Sequence, residues 1–307
     1  MVPAQRVAPE PPPSWMLSKA PHVAVAMRTI RTVHAISTWS RALHRQGVTI
    51  GMVPTMGAFH AGHLALIRAA RRSCEAVVVS VFVNPRQFGR GEDVSRYPRR
   101  LRSDAALCAR EGVDVLFAPT QEGMYPPGFE ASVSVRSLAR RWEGECRPGH
   151  FEGVATVVIK LLSLVRPEIV FFGQKDFQQT LVVKRLVEDL NPGTRMVVLP
   201  TVRDPDGLAL SSRNPRLTPA ERRAAPVLCA ALQAGREAIR SGIRSGSRIR
   251  KMMHQVVSGE PLAQVDYLAV CDPSTLEPRP RLTGTVVLLG AIRLGRTRLI
   301  DNLLVRT

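Results

Sequence analysis

From Val48 to Val202 the chain alternates short apolar runs with segments whose apolar residues recur at helical spacing, and this alternation limits the fold more than any other feature. Residues 48–53, 76–83, 113–118, 169–172 and 196–202 read as strands, and 63–72, 101–111, 154–165 and 177–190 as the helices between them. Strands separated by helices can pair only in parallel, so the expected fold is α/β, a parallel sheet covered on both faces. After Arg213 the pattern changes. A helix begins near Pro219, a second follows the turn around Gly242 to Ser247, and strand-like runs occupy 265–270, 286–292 and 298–304. This reads as a second, smaller α+β domain, with the boundary near residue 202.

The apolar stretch 154–165 contains Lys160 and is far shorter than the roughly 18 residues a membrane helix needs. Residues 1–21 carry Pro3, Pro9, Pro11, Pro12, Pro13 and Pro21 without the continuous apolar core of a secretory signal, so they read as a flexible extension. The five cysteines are scattered with no CxxC pair, which suits a reducing cytoplasm better than a disulfide framework. The net charge of +18 is mostly arginine, because Lys19, Lys160, Lys175, Lys184 and Lys251 are the only lysines. Such a surface attracts polyanions, yet no RNP, KH, zinc-finger or basic-helix signature accompanies it. No specific nucleic-acid partner is expected, and no membrane.

Chemistry concentrates where strands end. Residues 53–63, VPTMGAFHAGH, lie between a strand and a helix, where free N–H groups and the helix dipole favour phosphate. His60 and His63 are spaced i, i+3, so both rings can face one triphosphate, or they can simply cap the helix. Gly57 and Gly62 permit close backbone approach. Two histidines with no neighbouring Cys or carboxylate at ligand spacing leave a metal under-coordinated, so no protein-held metal is expected. Residues 171–179, FFGQKDFQQ, place Lys175 at a second strand end, suited to phosphoryl oxygens; Asp176 there is either a helix cap or a ligand contact. In residues 200–214, PTVRDPDGLALSSRN, Ser211, Ser212 and Arg213 form a plausible triphosphate clamp after the Asp204 to Gly207 turn. Residues 81–88, VFVNPRQF, set the uncharged amides of Asn84 and Gln87 where a hydroxy acid can be recognised.

These four segments, in this order, resemble the pantothenate synthetase family, which carries PTMGxxHxGH, NPxQF, GxKDxQQ and SSRN motifs. The resemblance implies a Rossmann-like nucleotidyltransferase domain binding ATP and pantoate over residues 31–201, a C-terminal α+β domain covering the site over 202–307, and a flexible Pro-rich extension over 1–30. It further implies Mg²⁺ carried with the ATP phosphates, β-alanine as the second substrate, and a homodimer. Carried over by position, Met56, Gly57, Ala58, Phe59, His60, Ala61, Gly62 and His63 bind ATP, joined by Gly173, Gln174, Lys175, Asp176, Val202, Leu210, Ser211, Ser212 and Arg213. Gln87 and Gln179, with Asn84, meet pantoate and β-alanine. His63, His60 and Lys175 are the catalytic candidates, His63 as proton donor or electrophilic stabiliser. Phe59, Gln174 and Leu210 depart from the commonest residues at their positions.

The reaction this implies is ATP-dependent ligation of (R)-pantoate to β-alanine through pantoyl adenylate, with AMP and pyrophosphate released. The alternatives are another nucleotidyltransferase of the same superfamily and a nucleic-acid-binding protein. A phosphate or amine acceptor calls for an extra Arg or a carboxylate where Gln87 and Gln179 stand, which disfavours the first.

Overall fold

The computed structural model describes residues 26–89 and 94–307. Strands β1 (Arg28–Ile30), β2 (Ile50–Thr55), β3 (Ala76–Val81), β4 (Val115–Phe117), β5 (Ile169–Gly173) and β6 (Arg195–Leu199) form one parallel sheet in the order β1-β4-β3-β2-β5-β6. Helices α1 (Val33–His44), α2 (Ala61–Ser73), α3 (Leu101–Arg110), α6 (His150–Val165) and α7 (Phe177–Leu190) cover it, and α4 (Gln121–Met124) and α5 (Glu143–Cys146) are single turns.

The period of two along each strand decides which helix covers which face. Met52, Val78, Val170 and Phe172 share a core with Ile36 of α1, Val154 and Leu161 of α6, and Val182 of α7. Their neighbours Val53, Val77, Val79 and Phe171 share another with Ile67 of α2 and Cys108 of α3. From β2 the chain winds outward through β3 to β4, then α6 carries it back across to β5 on the other side of β2. Chain direction therefore diverges between β2 and β5, and a crevice opens at their carboxyl ends.

The rest of the chain builds α8 (Pro219–Ala224), α9 (Val227–Arg240), α10 (Gly246–Ser258) and an antiparallel sheet of β7 (Ala263–Cys271), β8 (Thr285–Leu294) and β9 (Thr297–Arg306). One face of this sheet, with Leu268, Val270 and Leu288, packs on α9 and α10. The other, with Ala269, Cys271, Val287 and Leu289, joins the core of the first sheet. The two halves thus share apolar surface as well as the polar contacts described below.

Two expectations are corrected and one element is added. The extension does not reach residue 30, because Arg28–Ile30 pairs with Val115–Phe117; its residues 1–25 lie outside the described chain. Helix α1 carried a readable start, since the Thr32 hydroxyl accepts from the Ala35 N–H at 3.2 Å, but it follows a strand of only three residues that leaves little periodicity to read. Strand β6 ends at Leu199 rather than 202, where Pro200 has no N–H for the ladder.

Candidate active site

The loop after β2 turns sharply: Gly57 has φ +86° and Ala58 φ +55°. A side chain at Gly57 would be strained in that conformation, and its Cβ would stand 2.9 Å from the Asp104 carboxylate. That carboxylate, buried on α3, accepts from the N–H groups of Ala58 at 2.9 Å and Phe59 at 3.0 Å. The loop is fastened by an acid from a helix that covers its own sheet.

His60 is the N-cap of α2. Its Nδ1 accepts from the Gly62 N–H at 3.2 Å, and His63 Nδ1 accepts from the His60 N–H at 3.3 Å, with ring centroids 4.2 Å apart. The capping reading of this pair and a ligand-facing role are therefore compatible, because capping uses one nitrogen of each ring and leaves the other. Burial, and for His60 also the Lys175 charge, lowers its pKa to about 4; burial and the neighbouring His60 lower that of His63 to about 3. Both rings are neutral at pH 7, and since Nδ1 accepts, each proton sits on Nε2.

After β5, residues 174–176 form a tight turn into α7. Asp176 occupies the N-cap position but makes no capping bond there; its carboxylate lies 3.3 Å from Lys175 Nζ. Burial opposes its charge, yet Lys175, Arg213 and His150 together hold the carboxyl below the ordinary aspartate value. Between the two loops stand the amides. Gln87 Nε2 lies 3.1 Å from Met56 Sδ, and its backbone carbonyl is met by His150 Nδ1 at 2.7 Å. Asn84 is fully buried: its Nδ2 donates to Gln87 Oε1 and to the Gly153 carbonyl, and its Oδ1 accepts from the Tyr125 hydroxyl. A Cβ at Gly153 would collide with the Arg86 carbonyl, so glycine is what lets α6 touch this turn.

A cavity of about 220 Å³ collects Met56, Gly62 and both histidines, Gln87 and Gln179, Gly173, Lys175 and Asp176, and from the linker Val202 and Leu210 to Arg213. It adjoins a larger one of about 950 Å³ between the two sheets, with which it shares Lys175, Gln179, Ser211 and Arg213. Six of the residues singled out in the sequence do not line either. Gly57, Ala58 and Phe59 shape the first loop, Ala61 starts α2, Asn84 holds Gln87, and Gln174 bonds Asn302 of β9. Sequence reading passed over four others. Tyr97, whose hydroxyl is 3.2 Å from Ser212 Oγ, and Arg147 and His150 line both cavities, while Asp104 holds the first loop. Asp104 had a signal, an acid on the apolar stripe of Leu101, Ala105 and Cys108.

The parallel sheet with its switch-point crevice defines a Rossmann-like α/β protein, and imidazoles, an ammonium and a hydroxyl-rich turn around that crevice are the chemistry that suits a nucleotidyltransferase's phosphorylated ligand. The family model for pantoate-beta-alanine ligase matches residues 28–304, and the chain belongs to that family. It is 49% identical over 279 residues to the pantothenate synthetase of Heliobacterium modesticaldum, covering 91% of this chain and 99% of the relative. With that of Roseiflexus castenholzii it shares 50% over 276 residues, 90% of this chain and 98% of the relative. The crystal structure of pantothenate synthetase from Thermus thermophilus superposes with a TM-score of 0.86 at 49% identity, covering 90% and 99% of the two chains. Pantoate-beta-alanine ligase from Francisella tularensis, complexed with beta-gamma ATP and beta-alanine, does so at 0.76 and 34%, covering 91% and 98%.

Proposed function

We infer that this chain ligates pantoate to β-alanine at the expense of ATP. A pantoate carboxylate oxygen bonds to the α-phosphorus as the α–β bridging bond breaks and pyrophosphate leaves. The β-alanine amine then attacks the acyl carbon of pantoyl adenylate, AMP departs with the acyl C–O bond electrons, and the amine proton passes to solvent. One observation carries the reading: His60, His63, Lys175 and the Ser211–Arg213 turn converge on one cavity with the uncharged amides Gln87 and Gln179.

Each group has a role. His60 and His63, neutral and protonated at Nε2, serve as hydrogen-bond donors to the phosphates, which makes His63 an electrophilic stabiliser rather than a proton donor. Lys175 and Arg213 place full charges where negative charge grows, with Ser211 and Ser212 donating single bonds. Gln87 and Gln179 recognise pantoate, and Asn84 acts through Gln87. Gln174, Gly57, Ala58, Phe59 and Ala61 shape the nucleotide site from behind. The half beyond residue 202 covers the mixed anhydride against water.

Mg²⁺ fits this donor set as a passenger of the nucleotide. Among the described residues no group of three His, Cys, Asp or Glu side chains could hold a metal, and Asp176 is the one carboxylate lining the smaller cavity. An octahedral ion that keeps its waters needs no more than one such carboxylate beside the phosphates. When bound it would neutralise charge on the triphosphate. The family resemblance also supports a cytoplasmic homodimer; no described helix is long and apolar enough to cross a membrane.

The test is isotope exchange. With ATP, Mg²⁺ and pantoate but no β-alanine, labelled pyrophosphate should enter ATP, and only when pantoate is present. Exchange without pantoate, or none at all in protein that melts cooperatively, would overturn the reading.

A further inference from the structure

Lysine has a long flexible stem, so where its ammonium goes depends on how firmly its backbone is held. The 174–176 turn that carries Lys175 is held from outside its own domain. Asn302 of β9, 2% exposed, donates both Nδ2 hydrogens, one to the Gln174 carbonyl and one to the Lys175 carbonyl, each at 2.9 Å. Its Oδ1 accepts from Gln174 Nε2 at 3.0 Å. Two successive peptide carbonyls are thereby fixed by a single planar amide, on either side of the Lys175 Cα.

The amide is itself braced. The Asp301 carboxylate accepts from the Asn302 N–H at 2.7 Å and takes a two-pronged contact from Arg203, at 2.5 and 2.8 Å. Arg203 lies in the linker that leads to Ser211–Arg213, and it also reaches the Gly207 carbonyl at 3.0 Å. One short stretch of β9 thus touches the Lys175 turn by Asn302 and the start of the linker that leads to Ser211–Arg213 by Asp301.

We propose that Asn302 is a positioning residue for Lys175, so that the C-terminal sheet sets the geometry of the phosphate site and does more than cover it. This rests on the role given to Lys175 above. Asn302 touches no reacting atom; it acts through the lysine's backbone.

A double-mutant cycle in the full-length enzyme, read by pantoate-dependent pyrophosphate exchange, tests it. Asn302→Ala should slow exchange by roughly 10- to 100-fold, the scale of an ångström-level misplacement. In a Lys175→Ala background the same change should cost no more than about 2-fold, because the group it positions is gone. In the overall reaction kcat/KM for β-alanine should stay within about 2-fold of wild type, as no lost contact reaches that substrate. Asn302→Asp keeps the shape if the alanine variant fails to fold. Its carboxylate would face two carbonyls until protonated, when it can donate again. Burial raises such a pKa, so the ratio of variant to wild-type rate should climb as pH falls from about 8 to about 6. Additive losses in the cycle, wild-type rates in both Asn302 variants, or a pH-independent ratio would overturn the proposal. If Lys175→Ala alone leaves exchange at the wild-type rate, the functional reading fails and this inference with it, a pattern distinct from additivity.

Discussion

The loops after β2 and β5 end neighbouring strands and face the same cavity, but they are fastened differently. The first is held by Asp104, from a helix of the same sheet; the second by Asn302, from the other sheet. The first loop's shape is therefore a property of the Rossmann-like half alone. The second needs both halves seated. On the proposal above, the placement of the lysine depends on the docked C-terminal sheet, whereas the loop that carries the histidines has its anchor within the first half.

The largest expected effect falls on the self-contained loop. His63→Ala should lower the adenylation rate by roughly 10²- to 10⁴-fold, since a lost donor to developing phosphate charge has that scale. Single-turnover measurement decides it, and a folded variant keeping more than half the wild-type rate would take His63 out of the chemistry. Next comes the anchor. Asp104→Ala leaves the Ala58 and Phe59 N–H groups without their acceptor, at about 1–3 kcal/mol each for buried donors. Urea titration should show a loss of about 2–6 kcal/mol by that reckoning. A change below about 0.5 kcal/mol, the range of an ordinary surface substitution, would mean that the loop holds its shape without α3.

The smallest effect separates the loops by pH. The folded pKa of His63, about 3, lies below the unfolded value near 6.5, so the unfolded chain binds the extra proton between them. Stability from this group is fully present above pH 6.5 and declines as pH falls toward 3. At pH 5 the loss amounts to at most about 2 kcal/mol from a linkage of 1.36 kcal/mol per pKa unit. Thermal melts of wild type and His63→Ala between pH 7.5 and 5 should therefore converge as pH falls. Parallel curves would show that the ring is already able to take its proton in the folded state.

The same contrast explains what the sequence disclosed. His60, His63 and Lys175 were legible because each sits where a strand's period of two gives way to a helix, and in a parallel sheet those places meet at the switch point. The linker residues Ser211 to Arg213 were legible as a polar turn after a Pro/Gly break. What stayed hidden were partners distant in sequence. Asp104 binds a loop 45 residues away, and Asn302 reaches back 127 residues to Lys175. Local periodicity records neither. For Asn84 the sequence shows that an amide ends the strand, and not that Tyr125 and Gly153 take up its hydrogen bonds.

The paired histidines have a consequence for turnover. Rings that meet the phosphates as neutral dipoles stabilise an anion without adding net charge to its surroundings. An imidazolium pair would hold pyrophosphate by two further unit charges, and that grip would persist after the bond had broken. Because Nδ1 of each ring is occupied by backbone, the site offers directed N–H groups whose attraction falls off steeply once the anion shifts from its bonding position. The arrangement favours departure as much as arrival, so the leaving of pyrophosphate should depend mainly on the release of Lys175 and Arg213.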